Sequence, residues 1–143
     1  LKPIQRFAVI FFQDEEILEV PPRGLAPATP ANKRRLAEWI NPESGNVIPR
    51  GTTTPLPAIK QGLTYRPQLR YILSDNITGK GIYAVPQEDL LEQIGDTKAK
   101  FDPNTKISAI EFMTRDPLET LKKIATEHKG LYKFIDRSYF GLE

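Results

Sequence analysis

The strongest constraint on the fold is the short apolar segment 69–74, which ends abruptly in Ser74-Asp75-Asn76. Apolar runs of this length that are bounded by turn residues are typical of buried strands in parallel sheets. The carboxylate of Asp75 then lies where the carboxyl end of the strand opens into a loop, and open α/β sheets place their ligands at that edge. A second polar loop, residues 51–55, precedes a helical pattern. We therefore expect the two loops to meet at one edge of a sheet.

The rest of the chain supplies further strands and helices. Apolar runs predict strands at residues 6–12, 69–74, 106–113 and 131–135, and alternating polar and apolar residues predict a half-exposed strand at 16–20. The first two are joined by a short turn, which predicts an antiparallel hairpin. Helical spacing predicts a first helix over residues 30–40 and a second one that is capped by Thr54-Pro55. A third helix is predicted after Pro86 and is followed by a polar connection over residues 96–104. A fourth is predicted to begin at Asp116-Pro117 and to end at Gly130. This order predicts an α/β fold with a mostly parallel, doubly wound sheet covered on both faces.

Composition limits the classes of function. The chain has 143 residues, which predicts one domain, and its 20 basic and 18 acidic side chains do not indicate nucleic-acid binding. It has no cysteine, which excludes disulfides and thiolate metal sites and fits more than one compartment equally well. The apolar run 7–12 is far shorter than the roughly 20 residues of a membrane helix, so no membrane segment is predicted. Because the chain starts at Leu1, we expect it to be a piece of a longer protein.

Thr53 and Asp75 are candidate ligands for a hard cation. Mg²⁺ prefers oxygen ligands, keeps several waters and takes only one or two carboxylates directly. A hydroxyl ahead of a helix, opposite a carboxylate at the end of a strand, fits that preference. The alternative is purely structural, with Thr54 capping the helix, Thr52 and Thr53 in the loop, and Asp75 capping or forming a turn.

These motifs, taken in order, resemble the von Willebrand factor A domain family. In that family the loop commonly reads Gly-Gly-Thr-x-x-x-x-Ala-Leu, and the later strand ends Leu-Ser-Asp-Gly. Here the loop ends in Ala58 and Ile59, and the strand ends Leu-Ser-Asp-Asn. The resemblance implies that Thr53 and Asp75 are metal ligands. It also implies a ligand-binding loop region that includes Gly51, Thr52, Thr54, Ser74 and Asn76.

The chain departs from the family in one respect. The family's Asp-x-Ser-x-Ser motif, which follows a central first strand, is absent from these residues. By the resemblance, that first strand would run between the segments 6–12 and 69–74. We therefore expect a partial Rossmann-like domain over residues 1–143, with one antiparallel edge strand and the central first strand missing. Mg²⁺ is implied for the complete domain, and weak or no binding is expected for this chain alone.

The resemblance implies a non-enzymatic protein–protein interaction module of the adhesion type. In the family, an acidic side chain of the partner often completes the metal coordination. The alternative is a metal-dependent enzyme or a phosphoryl-accepting flavodoxin-like domain that uses Asp75, with Asp14 and Asp116 as further acids. A third interpretation is an assembly element that binds no metal. His128, the single histidine, is expected as a favourable cation at a helix carboxyl end.

Overall fold

The computed structural model describes residues 1–13, 16–48, 54–79 and 81–141. The strands are β1 (Arg6–Phe7), β2 (Ile10–Gln13), β3 (Glu16–Glu19), β4 (Ala26–Pro27), β5 (Leu69–Ser74), β6 (Lys106–Met113) and β7 (Lys129–Asp136). The α-helices are α1 (Pro30–Ile40), α2 (Leu56–Thr64), α3 (Gln87–Phe101) and α4 (Thr120–Glu127). Short 3₁₀ helices occupy Pro42–Ser44, Gly81–Tyr83 and Arg137–Phe140. The fold is therefore mixed α/β.

The main sheet has three parallel strands in the order β5-β6-β7. Each pair of strands is joined by a helix, α3 between β5 and β6 and α4 between β6 and β7. Parallel neighbours need such crossover connections because their ends lie at opposite edges of the sheet. The strand carboxyl ends therefore share one edge, as the sequence predicted. Among the described residues, the closing strand β7 is an edge strand of this sheet.

The core lies between this sheet and the helices α2, α3 and α4. It is made of aliphatic side chains that recur at helical spacing on the helices and alternate along β6. Its largest fully buried members are Leu63, Ile77, Leu90, Ile94, Ile107, Leu121 and Ile124. Burial of aliphatic side chains stabilises a fold by about 1.5–3 kcal/mol each.

The N-terminal part forms two small antiparallel pairs. The strand β2 pairs with β3, which confirms the predicted hairpin, and β1 pairs with β4. Of the predicted strand 6–12, only residues 10–12 join the hairpin, and the side chains from Phe7 to Phe12 are half-buried rather than buried. Helix α1 covers this part through a stacked contact between Trp39 and Phe11, with ring centroids 6.2 Å apart. Within the described ranges, no hydrogen-bonded ladder joins β2 to β5.

Several predicted boundaries are wrong. Helix α2 has Pro55 at its N-cap position with no side-chain cap, so Thr54 is not the cap. Helix α3 continues to Phe101, because the polar residues of the predicted connection lie on its solvent side while Phe101 packs against the core. Gly130 does not stop α4, which ends at Glu127, and instead lies within β7.

One face of the main sheet is not covered in the part of the chain that the structure describes. Along β5 the side chains of Ile72 and Ser74 are buried, whereas those of Leu69, Tyr71 and Leu73 are exposed. The expectation of a sheet covered on both faces is therefore wrong for these residues. None of the helices among the described residues is long and apolar enough to cross a membrane.

Candidate functional site

Asp75 follows the last residue of β5 at the carboxyl edge of the parallel sheet. Its side chain is exposed, and among the described residues its carboxylate makes no hydrogen bond or ion pair. The residue before it, Ser74, is buried and pairs with Glu111 of β6. The alternation of the strand therefore turns Ser74 into the core and leaves the next side chain directed away from it.

The turn after β5 is held by its own polar side chains. The hydroxyl of Ser74 accepts a hydrogen bond from the backbone N–H of Asn76 at 3.1 Å. The side chain of Asn76 donates to the carbonyl oxygen of Gly79 at 3.3 Å and accepts from the hydroxyl of Thr78 at 3.1 Å. Short polar side chains form such local turns readily. Ser74 and Asn76 therefore fix the backbone that carries Asp75.

A second carboxylate, Glu111, lies at the same edge and was not singled out in the sequence. It is only 2% exposed, and it accepts hydrogen bonds from the phenol of Tyr132 and from the backbone N–H of Asp116, the latter at 2.7 Å. Burial, reinforced by the hydrogen bond to Glu111, raises the pKa of Tyr132 to about 12. The signal in the sequence was a lone acidic residue inside the apolar run 106–113. A buried carboxylate of this kind requires hydrogen-bond partners.

Asp116, a further acid proposed for the enzymatic alternative, is engaged by the backbone of the turn before α4. Its carboxylate accepts hydrogen bonds from the backbone N–H groups of Leu118 (2.9 Å) and Thr120 (3.0 Å) and from the Thr120 hydroxyl. Burial alone would raise its pKa, but these hydrogen bonds lower the pKa below its ordinary value. Asp116 therefore orders the turn that leads into α4, but α4 begins at Thr120 with Glu119 at its N-cap position, so the predicted cap at Asp116 is wrong. Asp14, the other proposed acid, lies outside the described residues.

The second predicted loop is described only at its end. Gly51, Thr52 and Thr53 lie outside the described residues, and Thr54 is half-buried just before α2. The structure therefore neither brings Thr53 and Asp75 together nor separates them. Of the predicted loop residues, it brings Ser74, Asp75 and Asn76 together in one turn.

Arg70 fixes the helix that follows this loop. Its guanidinium donates hydrogen bonds to the carbonyl oxygens of Ala58 at 2.7 Å and Ile59 at 2.5 Å. Burial lowers the pKa of Arg70 to about 10. Gly62 makes the approach feasible, because a Cβ atom there would overlap the guanidinium. Arg70 thereby ties α2 to β5, whose far end carries Asp75.

His128 lies at the C-cap position of α4, but its side chain is buried. Its side chain is only 8% exposed, and its Nε2 has no hydrogen-bond partner within the described ranges. Burial, followed by the charge of Lys98, lowers the pKa of His128, although Glu127 opposes the shift. Because the neutral form is favoured, the expectation of a cation at the end of α4 is wrong.

Metal ligation by clustered side chains is not found in the described part of the chain. No group of three or more His, Cys, Asp or Glu side chains is close enough there to hold an ion. Asp75 has the oxygen donors that Mg²⁺ prefers. A single exposed carboxylate is not enough to bind Mg²⁺, so Asp75 can serve as a ligand only together with others.

Comparisons with known proteins do not assign a family. No protein-family model matches the chain, and no curated protein sequence matches it significantly. The resemblance to von Willebrand factor A domains therefore depends on the loop sequences and on the order of strands and helices.

Proposed function

We propose that the chain is a protein–protein interaction module of the von Willebrand factor A class and that it is not an enzyme. The observation that carries this proposal is the turn at the end of β5. Ser74 and Asn76 hold that turn, and it presents the exposed carboxylate of Asp75 at the carboxyl edge of a parallel sheet. Loops at this edge are where open α/β sheets bind their ligands. The recognition surface is formed by residues 50–54 and 75–82.

The proposed architecture is one doubly wound sheet from which the central strand is missing. The hairpin β2–β3 would form one side, with β3 as the antiparallel edge strand, and β5-β6-β7 would form the other. Two features support this. The hairpin and the parallel sheet are not joined by a ladder in the described residues, and β5 has a neighbour on one side only. A central parallel strand between β2 and β5 would supply the second neighbour.

In this proposal Thr53 and Asp75 are two of the oxygen ligands of a Mg²⁺ ion. When bound, the ion would link Asp75 to an acidic side chain of the partner protein. Two protein ligands and several waters do little to offset the reluctant dehydration of Mg²⁺. The chain alone is therefore expected to bind the ion weakly or not at all.

The enzymatic alternative receives less support from the geometry. It needs further acids near Asp75 to act with a metal or to move a proton. At this edge, Glu111 is buried and hydrogen-bonded to Tyr132, and the Asp116 carboxylate accepts hydrogen bonds from Thr120 at the start of α4. Both carboxylates thus have structural roles, which favours a binding module over a nucleophile or base at Asp75.

The proposal can be tested with Mn²⁺ as a paramagnetic probe and a ¹⁵N-labelled chain. Bound Mn²⁺ broadens nearby amide signals even when binding is weak. We expect the signals of residues 74–79 to broaden first in the wild type and to be spared in Asp75→Asn. The matched control is Asp96→Asn, an exposed aspartate in α3, which should leave the pattern unchanged. Broadening centred elsewhere, or unchanged in Asp75→Asn, would contradict the proposed site.

A further inference from the structure

A groove of about 490 Å³ lies between α2 and α3 in the described part of the chain. The side chains of Ile59 and Ile94 point from these helices into the core, whereas Lys60 and Asp96 line the groove and are exposed. The groove therefore opens to solvent on the side of the helices that faces away from the sheet. Sites for small molecules typically have volumes of about 300–1,000 Å³. A small molecule is thus the occupant that the size of this groove suits.

The segment that is missing from the proposed architecture would not cover this groove. The helices α3 and α4 join β5, β6 and β7 in one direction across the sheet, and they pack with α2 on one face of it. A central strand parallel to β2 would need a crossover helix that runs in the opposite direction. Because crossovers are right-handed, that helix would lie on the other face, above the exposed side chains of β5. The outer side of α2 and α3 would therefore stay open to solvent in the complete domain.

The floor of the groove is apolar. It is lined by Leu56, Pro57 and Phe101, and all three are half-buried. Leu56 and Phe101 also pack against the core, so the fold fixes their positions. A flat aromatic or short alkyl group would bury apolar area against these side chains. The ligand should therefore have an apolar body.

Two lysines flank this floor from opposite walls. Lys60 comes from α2 and Lys100 from α3, both are exposed, and neither makes a hydrogen bond or an ion pair with another described residue. The Lys100 ammonium lies 5.5 Å from the centroid of the Phe101 ring, so one cation is held beside the apolar floor. The carboxylate of Asp96 offsets one of the two positive charges and leaves the groove with a net positive charge. An anionic group on the ligand would complement it.

We propose that the groove between α2 and α3 binds a small amphipathic monocarboxylate. Its apolar body lies on Leu56, Pro57 and Phe101, and its carboxylate lies between the ammonium groups of Lys60 and Lys100. This site is independent of the proposed interaction surface, because it lies in the helix layer rather than at the carboxyl edge of the sheet, and it needs no metal.

The test uses three probes that share one naphthalene ring and differ in charge. They are 2-naphthoate, the neutral 2-naphthamide and the 2-naphthylmethylammonium cation. Each is titrated into the ¹⁵N-labelled chain without divalent metal, and binding is followed by amide chemical shifts. We expect 2-naphthoate to shift the signals of Lys60 and of residues 93–101. It should bind about two- to fivefold more tightly than the amide, as expected for exposed ion pairs, and the cation should bind most weakly.

Variants at exposed positions separate the effect of charge from that of the apolar floor. Lys60→Gln/Lys100→Gln should reduce the affinity for 2-naphthoate to that for 2-naphthamide, whereas Asp96→Asn should raise it. The matched control is Lys122→Gln/Lys133→Gln, which removes the same charge at two exposed positions in α4 and β7. This control should leave the affinities for all three probes unchanged.

Three results would overturn the proposal. These are the absence of shifts at residues 93–101 with 2-naphthoate, equal affinities of the wild type for 2-naphthoate and 2-naphthamide, and an affinity for 2-naphthoate that Lys60→Gln/Lys100→Gln leaves intact. Shifts confined to Leu69, Tyr71 and Leu73 would also overturn it, since the ring would then lie on the uncovered face of the sheet.

Discussion

Gly130 in β7 lies so close to Ile107 in β6 that a Cβ atom at Gly130 would overlap the carbonyl group of Ile107. The register between these strands shifts between Ile107 and Ala109, and the backbone N–H of Leu131 donates to the Ser108 hydroxyl at 3.0 Å. A glycine therefore allows β7 to approach the central strand of the parallel sheet. Gly130 therefore has a role in strand packing, and it does not end α4 as the sequence had suggested.

The first prediction follows from this approach. Gly130→Ala should lower the free energy of unfolding by about 1–3 kcal/mol or more, because the backbone of β6 has to move. The control is Gly95→Ala in α3, where the added Cβ meets nothing within 4 Å. That change should raise stability by about 0.5–1 kcal/mol through helix propensity. Urea titrations of both variants measure the difference, and equal effects would contradict the close approach.

The second prediction concerns the buried pair Glu111 and Tyr132. Tyr132→Phe removes one of the two donors to a buried carboxylate and should cost about 1–3 kcal/mol at neutral pH. The folded-state pKa of about 12 lies above the ordinary 10.0, so this stabilisation is present below pH 10 and is lost as pH rises toward 12. The difference in the free energy of unfolding between wild type and Tyr132→Phe should therefore become smaller between pH 10 and pH 12.

Chemical denaturation at pH 8, 10 and 11.5 would measure this difference. Tyr139→Phe, a change at an exposed tyrosine near the C-terminal end of the described chain, reports the general response to alkaline conditions. A difference in stability that stays constant from pH 8 to 11.5 would show that the Tyr132 phenol does not donate a hydrogen bond to Glu111.

The third prediction concerns His128. Its folded-state pKa is depressed below 6.5 by burial and by Lys98, so its stabilising contribution is present above pH 6.5 and is lost as pH falls through the folded-state pKa. Because the chain has one histidine, the window from pH 7 to 5 isolates this group from the carboxylates. We expect wild type to lose more stability than His128→Asn over this window. Equal losses of stability in wild type and His128→Asn would indicate that His128 is accessible to water.

The sequence predicted those elements whose pattern is local. The runs at Leu69–Ser74 and Lys106–Met113 were placed with their observed bounds, and so was the helix Pro30–Ile40. The antiparallel hairpin and the parallel order after residue 68 also followed from periodicity. In each case, the short-range spacing of apolar residues determines the element.

Features that depend on contacts between distant segments were not predictable in this way. The partners of Glu111 come from β7 and the turn before α4, and the burial of His128 depends on packing around the end of α4. For neither residue do the neighbouring residues in the sequence indicate these contacts. The turn at Asp75 could be predicted, because Ser74 and Asn76 act on neighbouring backbone groups. Its relation to Thr53 stays a prediction.

The fourth prediction concerns the open edge of β5. In the described part of the chain, β5 has one unpaired edge and an apolar face, and such a strand is a template for association with other strands. We expect the chain to bind the dye ANS and to associate at high concentration, and Leu73→Lys should reduce both effects. A monomer at millimolar concentration without ANS binding would argue that this edge is already protected.

Complementation with a donor strand tests the central claim most directly. The donor is a synthetic peptide with an apolar strand followed by Asp-Gly-Ser-Gly-Ser, and Mn²⁺ binding to its mixture with the chain is measured by titration calorimetry. The account predicts that the peptide binds beside β5 and that the mixture binds one Mn²⁺, which neither component binds appreciably alone. Asp75→Asn should abolish metal binding and leave peptide binding intact. Peptide binding without metal binding, or metal binding that persists in Asp75→Asn, would contradict the proposed interaction site.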